Sequence, residues 1–518
     1  MTPSAPSSPS RGGHAAVLAA VCLAAIVLPM SFSGGAVATP AIGRDLGGSP
    51  AALTWITNAF MLTFGGTLMA AGTLADAFGR KRAFVAGIAA FTVISLLLAC
   101  ASSIVMVDML RAAQGLAAAA TLAGGTAALA QDVEGHARTR AFSLLGTTFG
   151  LGLAFGPLLA GALIAAFGWR AVFAATAVVG LAALAFGARR MRDSRDPAAR
   201  GLDWAGTLSF TAMLSLFTFG LIAAPSRGWG DPLVVSLFVG TLALLVVFIA
   251  AARRVARPML DLSLFRYPRF VGVQMLPVAT CACYIVLLVL LPLRLIGVEG
   301  FREIDAGWLM VALSAPMLVV PSLAATLTRV VPAGIVSAAG LVVAAAGLVW
   351  LGAVDPGGPV LPVIGPLLLI GCGAGLPWGL MDGLALSVVP TERAGMATGI
   401  FNTIRVAGEG IALAIAGAVL AALSGGRLHA ALPDTIPAPT ITAAAARLAT
   451  GDLTHAAELL PSAVRPLLVA SYAGAFQTLL WVLAAVTVAA ALVVLLCLRQ
   501  PQIGTDHRDA GALDASQA

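Results

Sequence analysis

Residues 72–82 read Gly72-Thr-Leu-Ala-Asp76-Ala-Phe-Gly79-Arg80-Lys81-Arg82, and they join two apolar runs, 52–73 and 83–101. Each run holds about twenty residues, the length that crosses a hydrocarbon core. The joining segment carries two glycines, one acid and three consecutive cations, so it reads as a tight helical reversal at a membrane surface. Gly72 and Gly79 allow close helix approach and a sharp turn. Asp76 is placed to satisfy a neighbouring helix N-terminus and its dipole. Arg80 calls for an acid at the inner end of a nearby span, and Asp132 is the candidate. The cluster of Arg80, Lys81 and Arg82 assigns this turn to the cytoplasmic side.

Extending the same reading in both directions predicts fourteen spans, at about 15–38, 52–73, 83–101, 105–129, 141–166, 171–188, 204–224, 232–252, 271–295, 305–327, 333–353, 361–388, 396–424 and 468–497. The runs are too long and too continuously apolar for barrel strands, and lipid offers the backbone no partner, so the spans are helices. Composition agrees: 59% of the 518 residues are hydrophobic and 10% charged, against about 25% charged in a soluble domain. The net charge of +7 falls between apolar runs, so it speaks for membrane orientation and not for nucleic acid. With the N-terminus inside, 20 of the 30 cations lie in inner segments and eight in outer ones, leaving Arg111 and Arg405 within spans. The lipid bilayer is the first partner, and the plasma membrane the expected location, with both termini cytoplasmic. The six cysteines show no metal-ligand spacing with histidine and read as small buried apolar residues. All five histidines fall in tails or loops, which leaves no intramembrane histidine relay.

The expected organisation is an N-tail (1–14), six spans (15–188), a charged linker (189–203), two further spans (204–252), a second linker (253–270), six more spans (271–497) and a tail (498–518). An outer loop at 425–466 carries Pro433, Pro437 and Pro439, and its run from Ile441 to Leu460 suits short surface helices; the tail from Gln502 reads as disordered. Two segment pairs echo each other about 253 residues apart. GTLADAFGRKR (72–82) matches ATLTRVVPAGI (325–335), and HARTRAFSLLGTTFG (136–150) matches PTERAGMATGIFNTI (390–404). A common offset implies two related halves with spans seven and eight inserted between them.

Residues 72–82 resemble the inner-loop signature of the major facilitator superfamily. Arg111-Ala-Ala-Gln114-Gly115 in span four resembles its second signature. Gly152-Leu-Ala-Phe-Gly156-Pro157-Leu-Leu-Ala160-Gly161 in span five resembles the signature of its export branches, although a plain glycine packing face would use the same residues. Further matches are Trp55-Ile-Thr-Asn58-Ala-Phe60, Pro258-Met-Leu-Asp261 and Ala394-Gly395 to Arg405. With fourteen spans, the chain is similar to the fourteen-helix drug:proton antiporter branch. The resemblance implies an all-α integral membrane fold: two six-helix bundles plus two inserted helices, around a shared cavity. It also implies proton-coupled export of a small drug-like molecule or secondary metabolite by a monomer, with uptake on the same fold as the alternative. Neither enzymatic activity nor a cofactor or metal is expected, and no phosphate-binding loop points to ATP.

The sequence departs from that family where the coupling acid is usual. Ser31 and Ala36 precede Ala38-Thr39-Pro40, where the resemblance leads one to expect an acid and an asparagine, and Arg329 stands where the second half would repeat Asp76. Proton coupling needs a carboxyl whose charge is made costly by the membrane. The acids at membrane depth are Asp108, Asp382 and Glu409. Glu409 lies one turn after Arg405, on one helix face, and is either a fixed ion pair with Arg405 or a proton site beside the cavity. Arg111 is either a coupling group, as the resemblance implies, or a buried cation held by Asp108, which itself lies near enough to the outer surface to reach water. Asn58, Gln114, Trp378, Met381 and Asn402 are the candidate cavity residues.

Overall fold

The computed structural model describes residues 11–132, 135–191, 194, 203–254, 262–354, 361–388, 394–433, 435–460 and 465–498. The expected tails beyond 11 and 498, most of the linker 189–203 and the segment 255–261, which includes Pro258-Met-Leu-Asp261, lie outside them.

Fourteen long helices follow one another, and no strand occurs among the described residues. Spans one to eight are Arg11–Leu46, Pro50–Phe78, Arg80–Ala99, Ile104–Asp132, Gly135–Phe167, Arg170–Arg190, Trp204–Arg227 and Pro232–Arg254. Spans nine to fourteen are Pro268–Val298, Glu303–Leu327, Ala333–Gly352, Leu361–Ser387, Ala394–Ala431 and Arg465–Leu498. Thirteen are long and apolar enough to cross a membrane. The second makes close helix contacts. Its Thr63 hydroxyl donates to the Ala112 carbonyl of span four at 2.7 Å, and a Cβ on Gly115 would overlap the Phe60 carbonyl. Small residues at such crossings let backbones touch where lipid gives no hydrophobic drive.

The packing repeats pair for pair. In the first half, span one packs on five and six, span three on four and six, and span two on four; in the second half, nine packs on thirteen and fourteen, eleven on twelve and fourteen, and ten on twelve. The crossing of Gly115 on Phe60 has its counterpart in Gly371 of span twelve on the Leu313 carbonyl of span ten. The halves meet along two seams, span two with thirteen and span five with ten. Since two corresponds to ten and five to thirteen, each seam is the image of the other, as a pseudo-two-fold axis requires. Both seams run on glycine: a Cβ on Gly65 would stand 2.6 Å from the Cα of Ala407, and one on Gly161 would overlap the Glu303 carbonyl. Spans seven and eight pack on each other, and seven lies across spans two and thirteen, its Thr211 donating to the Gly66 carbonyl at 2.9 Å. The inserted pair therefore covers one seam. Only 11% of the apolar window of span eight is buried.

One feature was not expected, and one expected feature gains a role. Span nine, the most enclosed of all at 94% of its window, contains π-helical turns at Cys281–Ile285 and Leu293–Val298. Pro277 and Pro292 each remove a backbone donor there, and the helix re-registers around the loss. The loop 425–466 does form helices, Ala438–Ala449 and Leu453–Leu459. They lie at the surface with one face each buried: Ile441, Ala444, Ala445 and Leu448 are buried where the first folds back on span thirteen, while Thr442 of the first and Thr454, His455 and Glu458 of the second are exposed. Gly451, at φ +77°, presses its carbonyl onto Gly297 of span nine. Arg447 donates Nη1 to the Gly48 carbonyl in the turn after span one, at 2.6 Å, and to Asp452 at 3.0 Å. The loop is thus a strap tying the second half to the first. Arg44 of span one and Glu303 of span ten form a further bridge at the same end.

The helices also run longer than the apolar runs. His14, His136 and His429 fall inside helix ends and not in loops. All six cysteines are free, and Cys100 is exposed after span three where a buried residue was expected.

Candidate coupling and gating sites

The turn at 72–82 folds as a reversal, but its residues divide the work differently from the sequence reading. Gly79 takes φ +120° between spans two and three, a conformation that side chains resist. Gly72 makes no close approach, because nothing lies within 4 Å of where its Cβ would be. Asp76 caps no helix terminus among the described residues; it accepts Arg80 Nε at 2.8 Å. Arg80 Nη1 donates to Gln131 at 2.7 Å, the residue before the expected Asp132, and so ties the turn to the end of span four. The Arg80 backbone N–H donates to the Ser194 carbonyl at 2.9 Å, which draws in the segment after span six. Arg82 is exposed and Asp132 half-buried beside this cluster.

Span five bears out its glycine pattern as contact. A Cβ on Gly152 would overlap the Ile26 carbonyl, and one on Gly156 the Ser33 hydroxyl, both on span one; Gly161 faces span ten. Pro157 is buried, and its carbonyl lies 3.3 Å from where a Cβ on Gly307 of span ten would be. The export-like motif therefore lies on the contact between span five and two neighbours at once.

Arg111 is fully buried in the first half. Its Nε donates to the Ile56 carbonyl at 2.8 Å, and its Nη1 to Gln114 Oε1 at 2.7 Å and the Ser31 hydroxyl at 3.1 Å. The guanidinium lies over the Phe60 ring, 4.4 Å from its centroid, and near Phe173. Asp108 is not the holding acid: among the described residues no ion pair joins the two. Asp108 is half-buried, with its Oδ1 shut from water and without a partner. Gln114 is likewise no cavity residue. It is fully buried, and its Nε2 donates to the Ser95 hydroxyl at 2.8 Å, so both of its ends serve the arginine network. The sequence reading missed Ser95, Phe60 and Phe173 in this network, and it noted Ser31 only as the place of an absent acid. Removing the arginine would strip its donors from the Ile56 carbonyl and Gln114 Oε1, leaving Ser31 and Gln114 only their weaker mutual bond at 3.3 Å and the bond to Ser95, and would open a buried hole, at about 1–3 kcal/mol in all. Arg111→Ala is accordingly expected to reach the membrane, melt several degrees lower in detergent and transport nothing. Wild-type transport by this variant would show that the network is dispensable.

In the second half, Arg405 does not pair with Glu409. Its Nη2 donates to Asn402 Oδ1 at 2.7 Å and its Nη1 reaches Asp382 at 3.3 Å. It also lies 5.7 Å from the ring centroids of both Phe401 and Phe149, the latter from span five of the other half. Asp382 is 58% exposed at its side chain, so it stands at a wet edge and not in an apolar cavity. Glu409 is 6% exposed and takes no hydrogen bond or ion pair among the described residues. It lies two residues from Ala407, on which Gly65 rests, and on the helix whose Arg405 carbonyl receives the Cys281 thiol at 3.9 Å. Cys281 opens the first π-helical turn, a neighbour that only the fold reveals. Trp378 and Met381 are buried, with Trp378 tilted against Tyr284 at 6.3 Å and Tyr284 donating to Ser314 at 2.9 Å. Asn58 is buried too; it donates to the Thr54 carbonyl at 3.1 Å while its Oδ1 has no partner.

Residues 21–413 match the family model of the Major Facilitator Superfamily. The chain belongs to that superfamily. Among its curated relatives is the cephamycin export protein of Amycolatopsis lactamdurans, 34% identical over 416 residues that cover 79% of this chain and 85% of the relative. The multidrug resistance protein Stp of Mycobacterium tuberculosis is 30% identical, covering 78% and 75%. The tetracenomycin C resistance and export protein of Streptomyces glaucescens is 28% identical, covering 81% and 78%. Among solved structures, a bacterial homologue of the human lysosomal transporter Spinster superposes with a TM-score of 0.64 at 14% identity, covering 95% of this chain and 98% of the other. This facilitator-superfamily chain is therefore a multi-pass membrane transporter of small molecules, built as two six-helix bundles with two helices inserted between them.

Proposed function

We propose that this transporter exports an antibiotic-like or drug-like molecule from the cell in exchange for protons, and that Glu409 is the carboxyl that takes and releases the proton. The observation that carries the reading is the placement of Glu409. It is a buried acid with no hydrogen bond or ion pair among the described residues, beside the seam between the halves, where rocking of the bundles would expose it to one side and then the other. A permanently paired acid could not exchange protons so readily, and Asp382 is occupied by Arg405. Ser31 stands against Arg111 where an acid would otherwise neutralise it, so the first half offers a fixed cation and the second half the titrating group. The named relatives are export and resistance proteins, which favours outward movement over uptake.

In this reading the bundles comprise residues 15–188 and 271–497. The chain works as a monomer in the plasma membrane, with both termini and the turn at 72–82 in the cytoplasm and the strap outside. Asn402, beside Arg405, and Asn58, with its unpaired oxygen, are the polar groups we assign to substrate. Trp378 and Met381 then form the apolar wall behind the site.

A panel assay tests the proposal. Inverted vesicles carrying the protein are expected to accumulate at least one of a set of fluorescent dyes and aromatic antibiotics when their lumen is acidic, and to lose it when an ionophore collapses the gradient. Accumulation that ignores the ionophore would remove proton coupling. Accumulation only in right-side-out vesicles would reverse the direction.

A further inference from the structure

We propose a second site, apart from the transport path: a cleft between spans nine, eleven and fourteen that binds the phosphodiester head of an anionic phospholipid. The cleft has a volume of about 620 Å³ and lies where span eleven ends at Gly352 and span fourteen begins at Arg465. Its walls include Leu351, Val469, Ala470 and Leu480, and its rim includes Arg294 and Arg465.

The charge there is unbalanced. Arg294 is committed to Glu299 at 2.6 Å and stacks on Phe476, 5.0 Å from its centroid. Arg465 is exposed and has no carboxylate within ion-pair distance among the described residues. Arg427 packs its guanidinium against Gly474, a residue of the cleft wall; it donates to Thr478 at 3.3 Å and likewise has no carboxylate among the described residues. Among the described residues the rim therefore keeps a net positive charge above an apolar floor.

The surroundings identify the occupant. The two helices flanking the cleft expose Val349, Trp350, Trp481 and Val482, side chains suited to lipid and its interface. Neither span eleven nor span fourteen packs against the first half, so the cleft opens towards the bilayer and away from both seams. An amphiphile with one anionic head and an apolar tail fits that arrangement, and in this place it is supplied by the membrane itself. An arginine beside an anionic lipid head contributes about 1 kcal/mol, which is about fivefold in affinity.

The test is native mass spectrometry of the full-length protein in detergent, with phosphatidylglycerol, phosphatidylcholine and inorganic phosphate as probes. The wild-type chain is expected to retain phosphatidylglycerol in preference to phosphatidylcholine. Arg465→Gln, at an exposed position, should cut that preference about fivefold. Ala470→Trp should fill the cleft and lower retention of both lipids. An unchanged preference in both variants would overturn the site. So would displacement of phosphatidylglycerol by inorganic phosphate at equal concentration, since that would make it a free-anion site. Because binding alone is read, the outcome does not depend on whether Glu409 couples transport.

Discussion

Glu409→Gln is expected to abolish proton-driven accumulation while leaving substrate binding in place. A glutamine keeps the size and hydrogen-bonding capacity of the side chain but can neither take nor release a proton. One proton exchanged for one neutral substrate molecule across 100 mV supplies about 2.3 kcal/mol, which sustains a concentration ratio of about fifty. In the variant that ratio should fall to one. Exchange of labelled for unlabelled substrate without any gradient should persist, and its rate should no longer depend on pH. The variant should fold, because the substitution removes a buried group that has no hydrogen bond or ion pair to lose among the described residues. Retained accumulation against a gradient would remove Glu409 from the mechanism. In that case Asp382, released from Arg405 in another state of the cycle, becomes the acid to test.

The second large effect is expected at the seams. Gly65→Val places two methyl groups into the backbone of Ala407, where even a Cβ lies within 2.6 Å of the Cα. Helix backbones cannot move aside as a flexible side chain can. Overpacking of this kind costs up to about 3 kcal/mol, enough to shift the population of the closed seam by roughly 150-fold. The variant should insert into the membrane at normal levels and lose nearly all transport. Gly161→Val should do the same through Glu303, because the two seams are images of each other. Gly417→Ala is the control: it lies on span thirteen with nothing within 4 Å of its Cβ, and its transport should match the wild type. Full activity in Gly65→Val would mean that the seam need not close during transport.

Much of the fold was legible in the sequence because apolar runs of spanning length leave few alternatives once the backbone must satisfy itself. The repeat at about 253 residues was legible in two pairs of segments, 72–82 with 325–335 and 136–150 with 390–404, and the packing of the spans repeats in the same order. The partners of the charged residues were less so. Spacing on one helix suggested Arg405 with Glu409 and Arg111 with Asp108, yet each arginine bonds a neutral amide three residues away on its own helix, Asn402 or Gln114, and reaches other helices besides, Arg405 to span twelve and Arg111 to spans one and two. A long arginine side chain reaches across a helix contact as easily as along its own helix, and sequence spacing reports only the second. Ser31 shows the limit well. It was visible as a departure, but that it faces Arg111 and shares Gln114 with it became evident only once spans one and four were side by side. The helices at 438–459 were legible from their residues, but their role as a strap, like the π-helical turns of span nine, depends on how those segments pack.

The strap has a bearing on leakage. Arg447 on the Gly48 carbonyl and Arg44 with Glu303 fasten the two halves at one end of the molecule, where Gly451 on Gly297 seats the strap, while at the opposite end the described residues show the Asp76–Arg80–Gln131 cluster within the first half. A compound discharged at the fastened end would meet a sealed surface once the bundles swing back. With this end facing outward, as proposed above, the asymmetry would act as a check valve, retarding re-entry of whatever has been expelled even when the driving gradient weakens.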